Sequence, residues 1–283
     1  MILTCPRDQF PLEDLTCPAG HSYPVYDGIP ILLRDDVPET LWTMSNSIRQ
    51  AKGEAEFFKG DYLSNQLSGA TGYLYVSLND RVKEYPIPKL PLTGSGTFLD
   101  VGCNWGRWTM AAALAGYEPV GIDPTLDALL AARQACRNLG LKVTFICADA
   151  RYLPFPDNSF DQCYSFSVLQ HFTKSDALLA INEMRRVGLK STIQLAGKYG
   201  IRSLYHQAKR GFREATQFEV TYWTHEEMEE VGTVAPHAFL GTGVLRSDVR
   251  YLPVYYKAIP IISETLRRAR VLNRLADSYW ISF

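Results

Sequence analysis

The stretch Thr97-Phe98-Leu99-Asp100-Val101-Gly102-Cys103-Asn104-Trp105-Gly106 decides the fold of this chain. Its first half, 97–101, is an apolar run that predicts a buried strand. The glycines that follow let the backbone turn tightly and approach a ligand closely. The apolar run 108–115 then predicts a helix, whose first N–H groups have no partner inside the helix. A strand, a glycine turn and a helix in this order indicate an α/β fold with a ligand cradle at the turn.

Strands and helices alternate on the C-terminal side of this turn. Most of the predicted strands are separated by a helix of ten or more residues, which is the spacing of parallel βαβ units. The sequence therefore predicts an α/β fold with a doubly wound, seven-stranded, mostly parallel sheet and a helical cap. The predicted strands are 97–101, 119–123, 143–147, 160–166, 191–195, 234–240 and 278–283, and the helices between them include 126–139 and 175–187.

The chain divides into three zones by composition. The first is rich in cysteine and proline and ends in two apolar runs around an Asp-Gly turn, which predicts a small β-hairpin module. The second is helical in pattern until closely spaced prolines break it. The predicted zones are a module at 1–36, a helical linker or lid at 37–93, and a main domain at 94–283 with cap insertions near 198–223 and 248–275.

Three local patterns refine this outline. The segment 65–75, with Tyr73 and Tyr75 beside glycines, is consistent with a lid over the cofactor, although packing is the favoured interpretation of most of its aromatic residues. Thr224-His225-Glu226-Glu227 is a capping box and predicts the start of a helix. The pattern around 254–275 predicts a mostly helical insertion before the last strand.

A carboxylate closes the second predicted strand of the main domain. Asp123 follows Asp100 by 23 residues, and a carboxylate at this place can accept hydrogen bonds from both hydroxyls of a ribose. The spacing G-x-G-x-x-G of dinucleotide-binding folds is absent, which argues against NAD or FAD. The sequence therefore predicts a nucleoside-containing ligand of another kind.

Four segments in the right order resemble the class I methyltransferases that use S-adenosylmethionine. They are the glycine turn, the strand end at Asp123, the block 148–161 (Ala-Asp-Ala-Arg-Tyr-Leu-Pro-Phe-Pro-Asp-Asn-Ser-Phe-Asp) and the segment 165–172. The match departs at Asn104, which replaces a glycine, but asparagine tolerates a left-handed backbone. It also departs at 185–191, where the usual proline and paired glycines are missing. The resemblance implies that Asp149 and its neighbour bracket the adenine of the cofactor. The cofactor contacts that it implies are Asp100, Gly102, Cys103, Asn104, Gly106, Asp123, Pro124, Asp149, Ala150, Ser165 and Phe166.

The N-terminal zone carries two pairs of metal-ligand residue types at the ends of a short hairpin. Cys5 and Asp8 form the first pair, and Cys17 and His21 form the second. The pattern resembles the zinc ribbons of rRNA guanine methyltransferases and of tRNA methyltransferase activators, with Asp8 in place of a cysteine. A carboxylate can bind Zn²⁺, so a structural zinc site is expected. The alternative is a decayed ribbon held by its apolar hairpin alone.

The residues that would bind the acceptor follow the fourth and fifth strands. His171 lies just past the fourth strand and is a candidate general base, although a packing role explains it equally well. In the basic segment 198–213, charged side chains recur at helical spacing and suit an anionic acceptor, unless they form a solvated face. The candidate bases are His171 and His206, and the candidate acceptor contacts are Arg202, Tyr205, His206, Arg210 and Arg213.

Bulk composition bounds the class of protein. Apolar residues make up 46% and charged residues 21% of the 283 residues, which excludes a disordered chain. The net charge of −1 gives no strong overall attraction for nucleic acid. Six cysteines, most of them in predicted strands and helices, and an opening segment unlike a signal peptide lead us to expect a cytoplasmic protein without a membrane span.

Three functions are consistent with these patterns. The first is transfer of a methyl group from S-adenosylmethionine to an O or N atom of a small, sugar-linked or lipid-linked, anionic metabolite. The second is an rRNA or tRNA base methyltransferase, which the ribbon and the basic segment favour and the near-neutral net charge disfavours. The third is a non-enzymatic S-adenosylmethionine-binding partner protein, which the intact cradle disfavours.

Overall fold

The computed structural model describes residues 1–40, 43–62, 65, 87–216, 219–238, 262, 265 and 273–283. The chain forms two compact units. The first unit comprises Met1–Tyr62, Lys89–Ser165 and Ser175–Ser191, and the second comprises Leu63–Pro88, Phe166–Lys174 and Thr192–Phe283.

The N-terminal zone forms the predicted hairpin and then a helix. β1 (Val25–Tyr26) pairs antiparallel with β2 (Ile29–Leu32). Asp27 and Gly28, which join these strands, have φ angles of 45° and 77°. Positive φ at both central residues is the conformation of a tight two-residue hairpin turn, for which Asp-Gly is a preferred sequence. The helix α1 (Thr43–Ala51) follows.

Four parallel strands form the centre of the first unit. β3 pairs with β4 and β6 on its two sides, and β5 pairs with the other side of β4, so the order is β5-β4-β3-β6. The last four residues of β5 and all five residues of β6 are buried, as expected for strands of a parallel sheet that is covered on both faces. The strands are β3 (Gly96–Val101), β4 (Tyr117–Asp123), β5 (Thr144–Ala148) and β6 (Gln162–Phe166).

Helices connect these strands as predicted. They are α2 (Arg107–Leu114), α3 (Leu126–Asn138) and α4 (Lys174–Val187). The core of the unit includes an aromatic cluster in which the ring of Phe98 lies 5.2 Å from that of Tyr117 and 5.8 Å from that of Tyr164. Trp108 of α2 lies 5.3 Å from the ring of Tyr164. The hydrophobic face of α2 therefore packs on the strands that lead into the glycine turn.

The N-terminal hairpin is joined to the parallel sheet. β2 pairs in parallel with β5, with Ile31 opposite Cys147 and Leu32 opposite Ala148. The backbone N–H of Thr4 also donates to the carbonyl of Pro154, at 2.9 Å. The hairpin was predicted from the sequence, but its pairing with β5 was not. The module boundary at residue 36 remains a prediction.

The helix α1 contacts the residues that follow β4. The hydroxyl of Ser47 donates to the carbonyl of Pro124 at 2.7 Å and accepts from the N–H of Leu126 at 3.0 Å. Gln50 donates to the carboxylate of Asp127 at 2.8 Å. The predicted lid at 65–75 lies, except for Asn65, outside the described residues. The described part of the helical linker therefore supports the loop after β4 through these hydrogen bonds.

The second unit contains three antiparallel strands in the order β7-β9-β8. The side chain of Thr224 accepts from the N–H of Glu227, whose side chain accepts from the N–H of Thr224, so the predicted capping box is present. The predicted insertion at 254–275 lies mostly outside the described residues; Asn273–Leu275 form a short 3-10 helix. The elements are β7 (Ser191–Ala196), α5 (Ile201–Lys209), α6 (His225–Val231), β8 (Thr233–Ala238) and β9 (Ser278–Ser282).

The predicted α/β class with a mostly parallel sheet is confirmed. The seven predicted strands of the main domain are β3 to β9, and the N-terminal hairpin contributes β1 and β2. Among the described residues, no helix has the length and apolar character needed to cross a bilayer.

Candidate cofactor and metal sites

The glycine turn after β3 is a left-handed backbone segment. Gly102, Asn104 and Gly106 have φ angles of 76°, 48° and 81°. The N–H groups of Gly102 and Cys103 both donate to the carbonyl of Ile122 in β4, at 2.9 and 2.8 Å. The side chain of Asn104 accepts from the N–H of Trp105 at 2.8 Å, which offsets the cost of its conformation. The expectation that asparagine replaces glycine at a left-handed position is confirmed.

Asp123 lies at the end of β4 beside this turn. Its side chain is buried, and its two carboxylate oxygens accept from the backbone N–H groups of Asn104 and Thr125, each at 2.9 Å. Burial raises the pKa of Asp123, against the lowering effect of these two donors. Each carboxylate oxygen has a second lone pair, so the pair can still accept from the two hydroxyls of a diol.

Gly106 occupies the N-cap position of α2. It has no side chain with which to cap the helix. The first N–H groups of a helix without such a cap are available to an external acceptor. A Cβ on Gly106 would lie 3.0 Å from the Cβ of Ala132 and 3.3 Å from the ring of Phe145. Glycine at 106 therefore also allows α2 to begin close against α3 and β5.

Asp100 has a structural partner. It is 1% exposed and accepts from the hydroxyl of Thr109 in α2 at 2.6 Å. Burial raises the pKa of Asp100 to about 7, against the opposing effect of the Thr109 hydrogen bond. This buried carboxyl group thus links the end of β3 to the first turns of α2.

Asp149, expected at the adenine, is paired with an arginine that the sequence analysis missed. Arg151 donates from Nε and Nη2 to the Asp149 carboxylate, the closer contact being 2.7 Å. It also donates to the carboxylate of Asp176 at 3.0 Å and to the carbonyl of Pro38 at 2.7 Å. Asp149 and Arg151 are 3% and 4% exposed. The only sequence signal for this pair was an arginine two residues after a predicted strand-end carboxylate.

Tyr62 is a second residue that the sequence analysis did not single out. Burial, and then the nearby carboxylates of Asp123 and Asp127, raise the pKa of its hydroxyl. The side chain of Asn104 acts on this pKa in the opposite direction, so it too lies near the Tyr62 hydroxyl. An aromatic side chain therefore lies against the left-handed turn and the strand-end carboxylate.

The remaining expected cofactor residues divide between the units. Ser165 donates from its hydroxyl to the carbonyl of Val101 at 3.0 Å, beside the glycine turn. Cys103 and Ala150 are buried in the first unit, and the carbonyl of Pro124 accepts from Ser47. Phe166 is in the second unit, where its ring lies 5.3 Å from that of Trp280.

The candidate acceptor residues are all in the second unit. His171 ends a short 3-10 helix, Leu169–His171. In α5, Nε of Arg202 donates to Nε2 of His206 at 3.3 Å. Burial, followed by the charges of Arg202 and Lys209, lowers the pKa of His206. The contact with Arg202 orients the His206 ring through Nε2.

Two of the expected basic contacts have partners within the second unit. Arg210 donates to the carbonyl of Val220 at 2.9 Å and lies 5.1 Å from the ring of Tyr222. Arg213 forms two hydrogen bonds, at 2.6 and 2.7 Å, with the carboxylate of Glu219. The structure thus brings together Arg202 and His206, whereas Arg213 is ion-paired elsewhere.

The four expected metal ligands come together in the N-terminal zone. One ligand atom from each of Cys5, Asp8, Cys17 and His21 lies within 4.8 Å of all the others. Nδ1 of His21 lies 3.5 Å from Sγ of Cys5, 3.4 Å from Sγ of Cys17 and 3.0 Å from Oδ2 of Asp8. Ligands of a tetrahedral zinc ion are separated by roughly 3.3–3.8 Å, given bonds of about 2.0–2.3 Å. The two sulfur–nitrogen distances fall in this range, and the distance from Nδ1 of His21 to Asp8 is shorter.

Comparisons with known proteins agree on one family for the central part of the chain. Residues 98–190 match the family described as "Methyltransferase domain". The chain is 34% identical over 113 residues to Methyltransferase GfsG of Streptomyces halstedii, covering 38% of this chain and 39% of that protein. It is 37% identical over 91 residues to an uncharacterized methyltransferase of Mycobacterium marinum, covering 32% and 34%.

Solved structures include similar folds. A SAM-dependent methyltransferase from Methanosarcina mazei is 23% identical, with a TM-score of 0.46, over 56% of this chain and 90% of that one. The regions that match the Streptomyces and Mycobacterium proteins span only about a third to two fifths of the length of those two proteins. The segment that matches the family model contains the glycine turn, Asp123 and the Asp149–Arg151 pair.

Proposed function

We propose that this chain, whose residues 98–190 form a class I methyltransferase domain, transfers methyl groups from S-adenosylmethionine. The observation that carries the proposal is the left-handed turn of Gly102, Asn104 and Gly106 directly beside the buried carboxylate of Asp123. This arrangement places a diol acceptor beside the backbone of the glycine turn.

The residues present fit the cofactor. Asp123 keeps lone pairs for the ribose hydroxyls, and the turn that ends at Gly106 leads into the N-terminus of α2, the end of a helix that favours a ligand with acceptor atoms. At the adenine, Arg151 already binds both oxygens of Asp149, so the backbone of Asp149 and Ala150 is better suited than the carboxylate to contact the base. Bound S-adenosylmethionine supplies an activated methyl group on a sulfonium, and the protein's task is to position a nucleophile in line with it.

The acceptor that we propose is an O or N atom of a small, sugar-linked or lipid-linked metabolite with an anionic group. Five cations and no acidic residue occur within 198–213. Arg202 and His206 are the candidate contacts of the anion and the hydroxyl, with Tyr205, Arg210 and Arg213 nearby in sequence. His206 or His171 is the candidate to accept the proton of a hydroxyl nucleophile, whereas an amine acceptor needs only to be neutral. A base methyltransferase of rRNA or tRNA is the alternative that the ribbon-like cluster favours.

We also propose that Cys5, Asp8, Cys17 and His21 hold a structural zinc ion. The support is the mutual distance of the four ligand atoms and their chemistry, two thiols, an imidazole and a carboxylate. Tyr23 lies 3.1 Å from Sγ of Cys5 and would help to orient that ligand. With four protein ligands, the ion would have no open position for catalysis.

The test of the cofactor assignment is the substitution Asp123→Ala. Loss of the diol acceptor should weaken S-adenosylmethionine binding at least tenfold, about 1.4 kcal/mol, in calorimetry. Glu118→Ala is the matched control, because Glu118 is exposed on the same strand and should leave the affinity unchanged. Equal affinities of wild type and Asp123→Ala would show that the ribose is bound elsewhere.

A further inference from the structure

The helix α5 is turned so that its polar side is buried. Ser203 is 4% and Gln207 is 7% exposed. The N–H of Ser203 donates to the carboxylate of Asp277 at 3.0 Å, and Nε2 of Gln207 donates to the carbonyl of Lys198 at 2.7 Å. These contacts fix the rotation of the helix through hydrogen bonds and not through a hydrophobic face.

The opposite side of α5 exposes apolar side chains. Ile201, Leu204 and Tyr205 are 66%, 41% and 63% exposed. Together with Ala208 they follow the spacing i, i+3, i+4, i+7, so they form one stripe along the helix. Phe212, just past the end of the helix, is 68% exposed. Single exposed apolar residues are ordinary, but a continuous stripe on a helix that buries its polar side marks an interaction surface.

The charges around this stripe have one sign. Lys198, Arg202, Lys209, Arg210 and Arg213 lie within the same 16 residues, without an acidic residue among them. Arg213 is neutralised by Glu219. The remaining cations give the surface around the apolar stripe a positive potential, although the net charge of the chain is −1.

We propose that the α5 surface, defined as Ile201, Leu204, Tyr205, Ala208 and Phe212 with Lys198, Arg202, Lys209 and Arg210, docks on the surface of an anionic phospholipid membrane. An apolar stripe bordered by Lys and Arg is the pattern of helices that lie in the interface plane of a bilayer. The apolar side chains enter the acyl boundary while the cations contact lipid phosphates. A second copy of the chain would bring cations against cations. RNA would leave the aliphatic Ile201 and Leu204 without a partner. The proposal goes beyond methyl transfer and does not depend on it.

The experiment is flotation of the full-length protein with phosphatidylcholine vesicles, with or without about 30% phosphatidylglycerol. We expect binding to the anionic vesicles only, weakened when salt rises from about 0.1 to 0.5 M. The double substitution Ile201→Gln/Leu204→Gln should reduce vesicle binding at least about tenfold. Leu178→Gln/Leu179→Gln on α4 is the matched control, because these leucines are 43% and 46% exposed, and its binding should be unchanged.

Several outcomes would overturn the proposal. One is that the wild-type protein does not bind anionic vesicles. Another is that the control double substitution on α4 reduces vesicle binding as much as the α5 double substitution does. A third is that the wild-type protein forms an RNA complex, or a dimer detected by light scattering, which the α5 double substitution abolishes. Calorimetry with S-adenosylmethionine on both double variants checks that each remains folded. Vesicle binding by Asp123→Ala separates the two proposals, since that variant should lose cofactor affinity and keep vesicle binding.

Discussion

Single residues of the cradle act through backbone conformation and burial more than through side-chain contacts. Asn104 occupies a left-handed position with φ of 48°, which costs most residues roughly 1–2 kcal/mol and asparagine less. Its side chain repays part of this cost by accepting from Trp105. The same turn holds its N–H toward Asp123, so one residue supplies both the shape of the turn and the orientation of the carboxylate.

Asp100 predicts a pH dependence of stability. Its folded pKa of about 7 lies above the value of about 3.9 in an unfolded chain. Its contribution to stability is therefore fully present below pH ~4 and is lost as the pH rises through ~7. Asp100→Asn avoids the buried charge, so its stability relative to wild type should rise by about 2–4 kcal/mol between pH ~4 and pH ~8 in urea unfolding.

Asp161→Asn provides a control of opposite sign for this measurement. Hydrogen bonds from the N–H and hydroxyl of Thr97 lower the pKa of Asp161. Its contribution is therefore present at neutral pH and is lost as the pH falls, so this variant should be weakened most at neutral pH. A stability difference between Asp100→Asn and wild type that does not change with pH would contradict the assignment of a raised pKa to Asp100.

At the scale of elements, Arg151 joins three parts of the first unit. It connects the end of β5 through Asp149, the start of α4 through Asp176, and the N-terminal segment through the carbonyl of Pro38. Arg186 has a similar arrangement further along, with Glu183 and the carbonyls of Leu153 and Phe155. Two arginines thus hold the loop after β5 on α4.

Removing Arg151 should destabilise the fold strongly. Arg151→Met removes the charged partner of the buried Asp149, which keeps the backbone N–H of residue 151, and breaking a buried ion pair in this way costs about 3–5 kcal/mol. Urea unfolding should detect this loss. The control is Arg185→Met, at an exposed position of α4, which should change the free energy of unfolding by less than about 0.5 kcal/mol. Asp149→Asn/Arg151→Met should recover part of the loss. A single variant as stable as wild type would mean that the pair contributes little.

At the scale of the molecule, the N-terminal zone and the sheet of the first unit are one structure. The pairing of β2 with β5 and the hydrogen bond from Thr4 to Pro154 connect the metal-ligand cluster to the loop that follows β5. Destabilising the metal-ligand cluster should therefore also lower the stability of the parallel sheet.

Zinc removal should lower thermal stability. Protein purified without chelator should contain close to one zinc per chain, and chelation should lower Tm by about 5–10 °C, corresponding to roughly 2–3 kcal/mol. Cys17→Ser should contain less zinc and respond less to the chelator. Absence of zinc, together with a Tm that chelation leaves unchanged, would identify the cluster as a decayed site.

Local sequence alone determined much of this protein. The period of apolar residues located the strands and helices of the main domain to within a few residues, because that period depends on local backbone geometry. The Asp-Gly hairpin turn, the left-handed Asn104 and the Thr224–Glu227 capping box were predicted for the same reason, since each is formed by residues adjacent in the chain. Spacing also grouped the four metal-ligand residues, which the hairpin brings together over a short distance.

Only the tertiary structure decided the contacts between distant segments. The pairing of β2 with β5 joins residues more than a hundred positions apart, and no local pattern specifies which edge strand a hairpin will meet. Asp149 was expected at a ligand, but folding brought it an arginine partner and brought that arginine to Asp176. In α5, helical spacing defined the faces of the helix but not which face is buried. That rotation was fixed by Asp277, 74 residues away, through its hydrogen bond to Ser203.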